Sequence, residues 1–149
     1  MRTIKFRGKR ICTGEWVYGS YLPGTDDEIE AFILTYSPHD PDYVWEKVDP
    51  STVGQYTGLE DKNGKEIYED DILLDESGAY AVVCYSMGNF CVDFGEGFDL
   101  QYFTEGIHEI CYVASNIHDN PELLGLNDSM DDNSYLSSHF SVRPQQKRL

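Results

Sequence analysis

The sequence predicts a mainly β protein: N-terminal strands, then a C-terminal SH3-like, partly open small barrel, with little helix and a β-rich α+β fold as the alternative. Three observations lead there. Apolar residues come in short runs broken by Gly, Pro, Asp and Asn, the pattern of strands and turns and not of long amphipathic helices. Tyr and Phe are abundant, at 11 and 7 residues, and both favour strands. Asn63-Gly64 is the strongest hairpin signal in the chain, since that dipeptide suits the two central positions of a type I′ turn.

The elements follow in order. After the Thr13-Gly14 turn, residues 15–22 read as a strand and 29–36 as a second. The segment Pro23-Gly24-Thr25-Asp26-Asp27 between them is turn chemistry. Pro38 and Pro41 forbid regular pairing, so 38–42 is a loop, and Tyr43–Val48 is a third strand. Asp49-Pro50-Ser51-Thr52 opens a helical turn, and 53–56 is extended. A short strand at 71–74 comes next. Strands at 79–85 and 89–94 form a hairpin around Met87-Gly88 or Gly88-Asn89. Gly95-Glu96-Gly97 breaks the chain before strands at 98–103 and 109–115. This order resembles that of an SH3-like barrel. Pro121 at a first helical position, with Asn120 as cap, starts one more turn. The regions are therefore an N-terminal β region at 1–60, a small barrel-like region at 61–126 and a polar tail at 127–149. The tail is read as flexible, with an arm ordered on a neighbouring subunit as the alternative.

Charge is unevenly placed on a chain of net charge −16. Residues 1–10 carry Arg2, Lys5, Arg7, Lys9 and Arg10 and no acid, whereas residues 51–126 carry fifteen acids against Lys62 and Lys65. Such an acidic surface repels phosphate backbones, which argues against direct nucleic-acid binding. It reads first as a solvated face and second as a mimic of DNA. No apolar run approaches the ~20 residues of a membrane span, and the basic opening lacks the apolar stretch of a signal peptide. A soluble, cytoplasmic protein is expected.

Residues 48–73 carry the most specific pattern. Val53-Gly54-Gln55-Tyr56-Thr57-Gly58-Leu59, followed by Asp61-Lys62-Asn63-Gly64-Lys65-Glu66-Ile67-Tyr68-Glu69, resembles the signature of the YopX family of small phage and prophage proteins. Two flanking blocks agree: residues 4–10 with 14–20, and Asn116-Ile117-His118-Asp119-Asn120-Pro121-Glu122-Leu123-Leu124. The resemblance thus frames about residues 1–124. It implies a lineage and brings no established activity. The family usually continues Glu-Gly-Asp-Ile where this chain has Glu69-Asp70-Asp71-Ile72. A glycine there implies a backbone of positive φ, which Asp tolerates better than most residues.

Chemistry is sparse by the same reading. Residues 59–70 superficially match a calcium loop but have Leu59 at the first ligand position and Glu66 at the eighth, where an apolar residue belongs. Cys12, Cys84, Cys91 and Cys111 lack CxxC spacing and read as reduced thiols, without zinc. Cys84 and Cys91 flank the predicted hairpin and face each other in one of two registers. His39, His108, His118 and His139 are scattered, and His118-Asp119 are neighbours that a strand would point to opposite faces. No serine or cysteine sits in an activating pattern, and Gly95-Glu96-Gly97 lacks the length and the base of a phosphate loop. No catalytic residue, metal or cofactor is assigned.

The aromatics are more suggestive. Trp16, Tyr18, Tyr21, Tyr36, Tyr43, Trp45, Tyr56 and Tyr68 fill the first half, and such rings build cores, subunit interfaces or ligand grooves. Alternation places Trp16 and Tyr18 on one face and Val17 and Tyr21 on the other.

The reading is a non-catalytic phage or prophage accessory protein, a homo-oligomer that binds a host or phage component. Gln55, Tyr56, Thr57, Asp61, Asn63 and Tyr68 are the candidate binding residues, and Gly54, Gly58 and Gly64 the structural turn positions. The alternatives are an acidic DNA mimic using residues 60–109, a sponge for a nucleotide signal using the basic residues 2–10 with neighbouring rings, and an unrecognised hydrolase.

Overall fold

The computed structural model describes residues 1–25, 30–36, 42–103 and 106–129. Most of the 38–42 loop and the tail beyond residue 129 lie outside them. The chain is mainly β and divides into two compact units, residues 1–58 and residues 59 onward.

The first unit is one antiparallel sheet. Its strands are β1 (Phe6–Lys9), β2 (Trp16–Leu22), β3 (Ala31–Tyr36), β4 (Tyr43–Val48) and the start of β5 (Gly54–Glu60), hydrogen-bonded in the order β4-β3-β2-β1-β5; the last residues of β5 belong to the second unit, and β6 (Glu66–Tyr68) follows β5 as the sixth strand of the ladder. Strand β1 carries only one large apolar residue and is not evident from the sequence pattern. The sheet curls so far that its first and fourth strands meet at one end. There Ile11 N donates to Lys47 O and Asp49 N to Lys9 O. The expected turn after Asp49 is a 3-10 turn at Pro50–Thr52, capped by the Asp49 carboxylate, which accepts from Ser51 N. Thr52 Oγ1 accepts from Lys9 N at 2.9 Å and ties the turn to β1.

The inner face of the curl holds Val17, Ala31, Ile33 and Val48, with Phe6, Tyr21 and Val53 packed against them. Curvature demands a side chain of no size at Gly19, where a Cβ would sit 1.8 Å from Leu34 O. Glycine at a tight sheet bend serves this purpose.

The second unit contains β6 (Glu66–Tyr68), β7 (Asp71–Asp75), β8 (Tyr80–Ser86), β9 (Asn89–Asp93), β10 (Gln101–Tyr102), the short helix α1 (Ile107–Ile110) and β11 (Cys111–Asn116). Strands β7 to β10 form a meander. After α1, β11 returns to pair with β7, giving the order β10-β9-β8-β7-β11. That is the SH3-like arrangement, and no ladder joins β10 to β11 among the described residues, so the barrel is partly open. Its core includes Ile67, Leu73, Val83, Val92, Ile107 and Val113.

Local details depart from expectation at several points. Residues 109 and 110 are the end of α1 and not a strand; the chain enters that helix through Gly106 at φ 78°. The strand expected at 98–103 shrinks to two residues. The Asn63-Gly64 turn is not type I′: Gly64 has φ 81°, but Asn63 does not have positive φ. Gly64 N donates to Asp61 O and Asp61 N to Lys65 O, the pattern of a type I turn followed by a left-handed glycine. The reason is Asp61, whose Oδ1 accepts from both Asn63 N and Lys65 N and fixes the alternative turn. Positive φ at both loop positions occurs instead at Met87 (50°) and Gly88 (81°), between β8 and β9. Asn120 does not cap the following 3-10 segment with its side chain; its Oδ1 accepts from Ser115 Oγ. No helix among the described residues is long and apolar enough to cross a membrane.

Candidate functional site

The signature segment is divided between the two units. Gln55, Tyr56 and Thr57 lie half-buried on β5. Phe6 pairs with Gln55, and Tyr56 N donates to Lys5 O while Lys5 Nζ stands 5.2 Å from the Tyr56 ring centre. Gly54 is buried opposite Arg7, and Gly58 has φ 87°.

The remaining signature residues belong to the second unit. Asp61 is buried, and besides its two turn contacts its Oδ2 accepts from Val113 N at 2.8 Å. Desolvation opposes ionisation of Asp61, but the backbone N–H groups of Val113, Lys65 and Asn63 outweigh it and hold the carboxyl below its ordinary range. Asp61 is thus a latch between the turn and β11. Tyr68 is 2% exposed; its hydroxyl donates to Glu66 Oε2 and its amide to Asp71 Oδ2. Asn63 is exposed at the turn tip. The structure therefore places Asp61 and Tyr68 inside the fold and leaves Asn63, with partly exposed Gln55, Tyr56 and Thr57, within reach of a ligand.

A more continuous surface forms on the outer face of the first unit. Opposed residues in an antiparallel ladder share a face, so the register composes that surface rung by rung. Lys9 lies opposite Trp16 and Arg7 opposite Tyr18. Leu34 stands between Ser20 and Trp45, Phe32 between Leu22 and Lys47, and Tyr36 opposite Tyr43. Leu22, Tyr36, Tyr43 and Trp45 are 49%, 63%, 69% and 50% exposed, which is far more than large apolar residues show in a finished core. Tyr36 and Tyr43 meet edge to face with ring centres 6.0 Å apart. Arg7 Cζ and Lys9 Nζ stand 4.6 Å and 5.4 Å from the Trp16 ring centre.

This face is cationic as well as aromatic. Its strand positions on β1 to β4 supply Arg7, Lys9 and Lys47 and no carboxylate, although Arg7 is buried at 6% exposure and Lys47 pairs with Glu30. Glu46 lies on the opposite face, where it and Glu15 bind Arg10. The hydrogen bond to Glu46 dominates and raises the Arg10 pKa against the opposing effect of burial. The alternation expected for Trp16, Val17, Tyr18 and Tyr21 is the one found. What pattern alone misses is Leu22 and the joint exposure of Tyr36, Tyr43 and Trp45.

Titratable groups elsewhere serve the fold. Asp70 has φ 67°, the backbone a family glycine implies, and its Oδ2 meets His118 Nε2 at 2.9 Å. Asp75 Oδ1 accepts from Ser77 N, Ser77 Oγ and Ala79 N, closing the turn into β8. Asp61, Asp71 and Asp75 are buried, so part of the acidic segment faces inward. Burial pushes the Cys111 thiol up to about 12, with Asp75 adding to the rise. Among the described residues, no three His, Cys, Asp or Glu side chains converge as metal ligands would.

The chain matches the family described as YopX protein over residues 5–125. Among solved structures it is similar to the crystal structure of protein EF1440 from Enterococcus faecalis. The two are 26% identical with a TM-score of 0.54, and the match covers 83% of this chain and 99% of that one. No curated protein matches.

Proposed function

The chain belongs to the YopX protein family, and from that premise we propose that it is a non-catalytic accessory protein of phage or prophage origin that binds a protein partner through the outer face of its first unit. The observation carrying this reading is the exposed cluster of Leu22, Tyr36, Tyr43 and Trp45. Contiguous exposed rings rimmed by polar groups mark interaction surfaces, and Tyr and Trp anchor binding energy at such surfaces. Lys9 and Lys47 around the rings select a partner patch that is apolar at its centre and acidic at its rim. Residues of the signature segment contribute Tyr56 beside Lys5 at the edge of the same strand face; Asp61 and Gly64 act by shaping the turn.

The test is capture from host cells with the wild-type chain, a Tyr43→Ala/Trp45→Ala variant and a Tyr85→Ala variant, Tyr85 being an exposed residue of the second unit. The reading requires that the face variant lose a partner that the other two retain. Identical partners in all three lanes would remove this face from the function.

A second reading is favoured by the cation-bearing rings. Lys5 beside Tyr56, and Lys9 beside Trp16, combine stacking surface with positive charge, which suits a small nucleotide signal. A single nucleotide also meets less of the repulsion that a polyanion would feel from a chain of net charge −16. Titration with mono- and dinucleotides, followed by tryptophan fluorescence, separates the two: saturable quenching abolished in Trp16→Phe supports the nucleotide.

A further inference from the structure

Cys84 on β8 and Cys91 on β9 are direct partners in the hairpin ladder. The turn decides this. With Met87-Gly88 as the two-residue loop, Ser86 pairs with Asn89, Tyr85 with Phe90 and Cys84 with Cys91. The two side chains share one face of the sheet, and their Sγ atoms lie 2.9 Å apart. Directly opposed Cα atoms in an antiparallel ladder are ~4.5–5.5 Å apart, inside the ~4.4–6.8 Å range a disulfide spans. The sulfurs need to approach by less than about 1 Å to reach the ~2.05 Å of the bond, which a small side-chain rotation provides.

We propose that Cys84 and Cys91 are a redox modification site, closing to a reversible cross-strand disulfide within the second unit. Their exposures assign the order of events. Cys91 is fully buried and Cys84 half-buried, so Cys84 meets the oxidant and Cys91 resolves the intermediate. The oxidant is a small-molecule disulfide of the glutathione type. Cys84 gives up its proton, and its sulfur attacks one glutathione sulfur. The glutathione S–S bond breaks, and the first glutathione leaves and takes up a proton. Cys91 then loses its proton and attacks the Cys84 sulfur of the mixed disulfide, expelling the second glutathione as a thiol. Two protein thiols are oxidised by two electrons, and one glutathione disulfide is reduced to two thiols.

The surroundings set the pace. Burial, then the neighbouring Cys91 thiol, then Asp93 and Glu69 push the Cys84 thiol up to about 12. The attacking thiolate is therefore scarce near neutral pH, and exchange is slow. A pair of this kind responds to sustained oxidation and ignores brief fluctuation. Cys12, exposed in the first unit, and Cys111, buried in the second, have no comparable partner recorded among the described residues.

The experiment uses the full chain carrying Cys12→Ser, held in excess oxidised glutathione at mildly alkaline pH and read by intact mass and peptide mapping. The expected product has lost the mass of two hydrogens, carries a peptide joining Cys84 to Cys91, and reverts with dithiothreitol. Three results would overturn the proposal: a glutathione adduct that persists on Cys84 without an internal bond, a bond involving Cys111, or three thiols that all remain open to alkylation after denaturation. Cys84, Cys91 and Cys111 are all kept, and the one substitution is at exposed Cys12, so the readout follows the pair in its native surroundings.

Discussion

Asp70 and His118 are separated by 48 residues and meet at 2.9 Å, Asp70 Oδ2 to His118 Nε2. The contact closes a set of bonds around one strained residue. Asp70 holds φ 67° at the turn between β6 and β7. Its amide donates to Val83 O, and its carbonyl accepts from Ile117 N. Where the resemblance implies glycine, this chain uses a residue that tolerates left-handed backbone and gives its side chain to the segment following β11.

That arrangement predicts an order among substitutions. Asp70→Val should lose about 1–2 kcal/mol from left-handed strain alone, plus the hydrogen bond to His118. Asp70→Gly relieves the strain and loses only the part-buried contact with His118, worth about 0.5–1.5 kcal/mol as a hydrogen bond. Urea unfolding of the two variants checks it; equal midpoints would mean that the backbone at this site is not what limits the turn.

Asp61→Ala should be the more damaging change. It strands the amides of Asn63, Lys65 and Val113, for a loss of at least about 3 kcal/mol. The same carboxylate gives a pH dependence of known sign. Its pKa in the folded chain lies below the ordinary aspartate value, so its stabilisation is fully present above that ordinary value and is lost as pH falls through the folded pKa. Thermal melts from pH 6 to pH 2 should show a steeper acid decline for the wild type than for Asp61→Asn.

Met87 offers a gain. It sits at φ 50° and is 89% exposed, so its side chain contributes little packing. Met87→Asn should stabilise by about 0.5–1 kcal/mol, because Asn accepts the left-handed conformation that Met resists. Met87→Ala serves as the control and should give no such rise in melting temperature.

Two glycines should fail for different reasons. At Gly64, φ is 81° and the nearest atom to an added Cβ is Glu60 Oε2 at 4.0 Å; Gly64→Ala loses about 1 kcal/mol by conformation. At Gly19 an added Cβ strikes Leu34 O, which forces β2 from β3. Gly19→Ala should therefore unfold at lower urea than Gly64→Ala, and Glu60→Ala should change stability by less than about 0.5 kcal/mol.

The exposed face predicts self-association in the absence of a partner. Symmetric pairing is the commonest way to cover such a surface, so light scattering should report a multiple of the 17.0 kDa chain mass. Burial of rings persists in high salt, where rim charges are screened. Tyr43→Ala/Trp45→Ala should return the monomer. A wild-type monomer at micromolar concentration would leave this face to a different protein.

The sequence by itself determined what short-range chemistry controls. Alternation in residues 16–22 sorted Trp16 and Tyr18 from Val17 and Tyr21, turn residues placed most of the strands, and the order of the second half indicated an SH3-like meander. A glycine-like backbone at Asp70 was implied by the signature around it. Only the tertiary structure decided the rest. Alternation defines two faces of a strand and does not say which is covered; the curl of β1 to β4 over Ile33 and Val48 left Tyr36, Tyr43 and Trp45 outside. Two turns of nearly equal propensity were available between Cys84 and Cys91, and one residue of slip would have put the thiols out of register. Asp61 carried a turn signal, yet its bond to Val113 spans 52 residues. Local propensity acts over a few residues, whereas these pairings depend on which distant strand arrives alongside, and that is settled by how the whole sheet buries its apolar face.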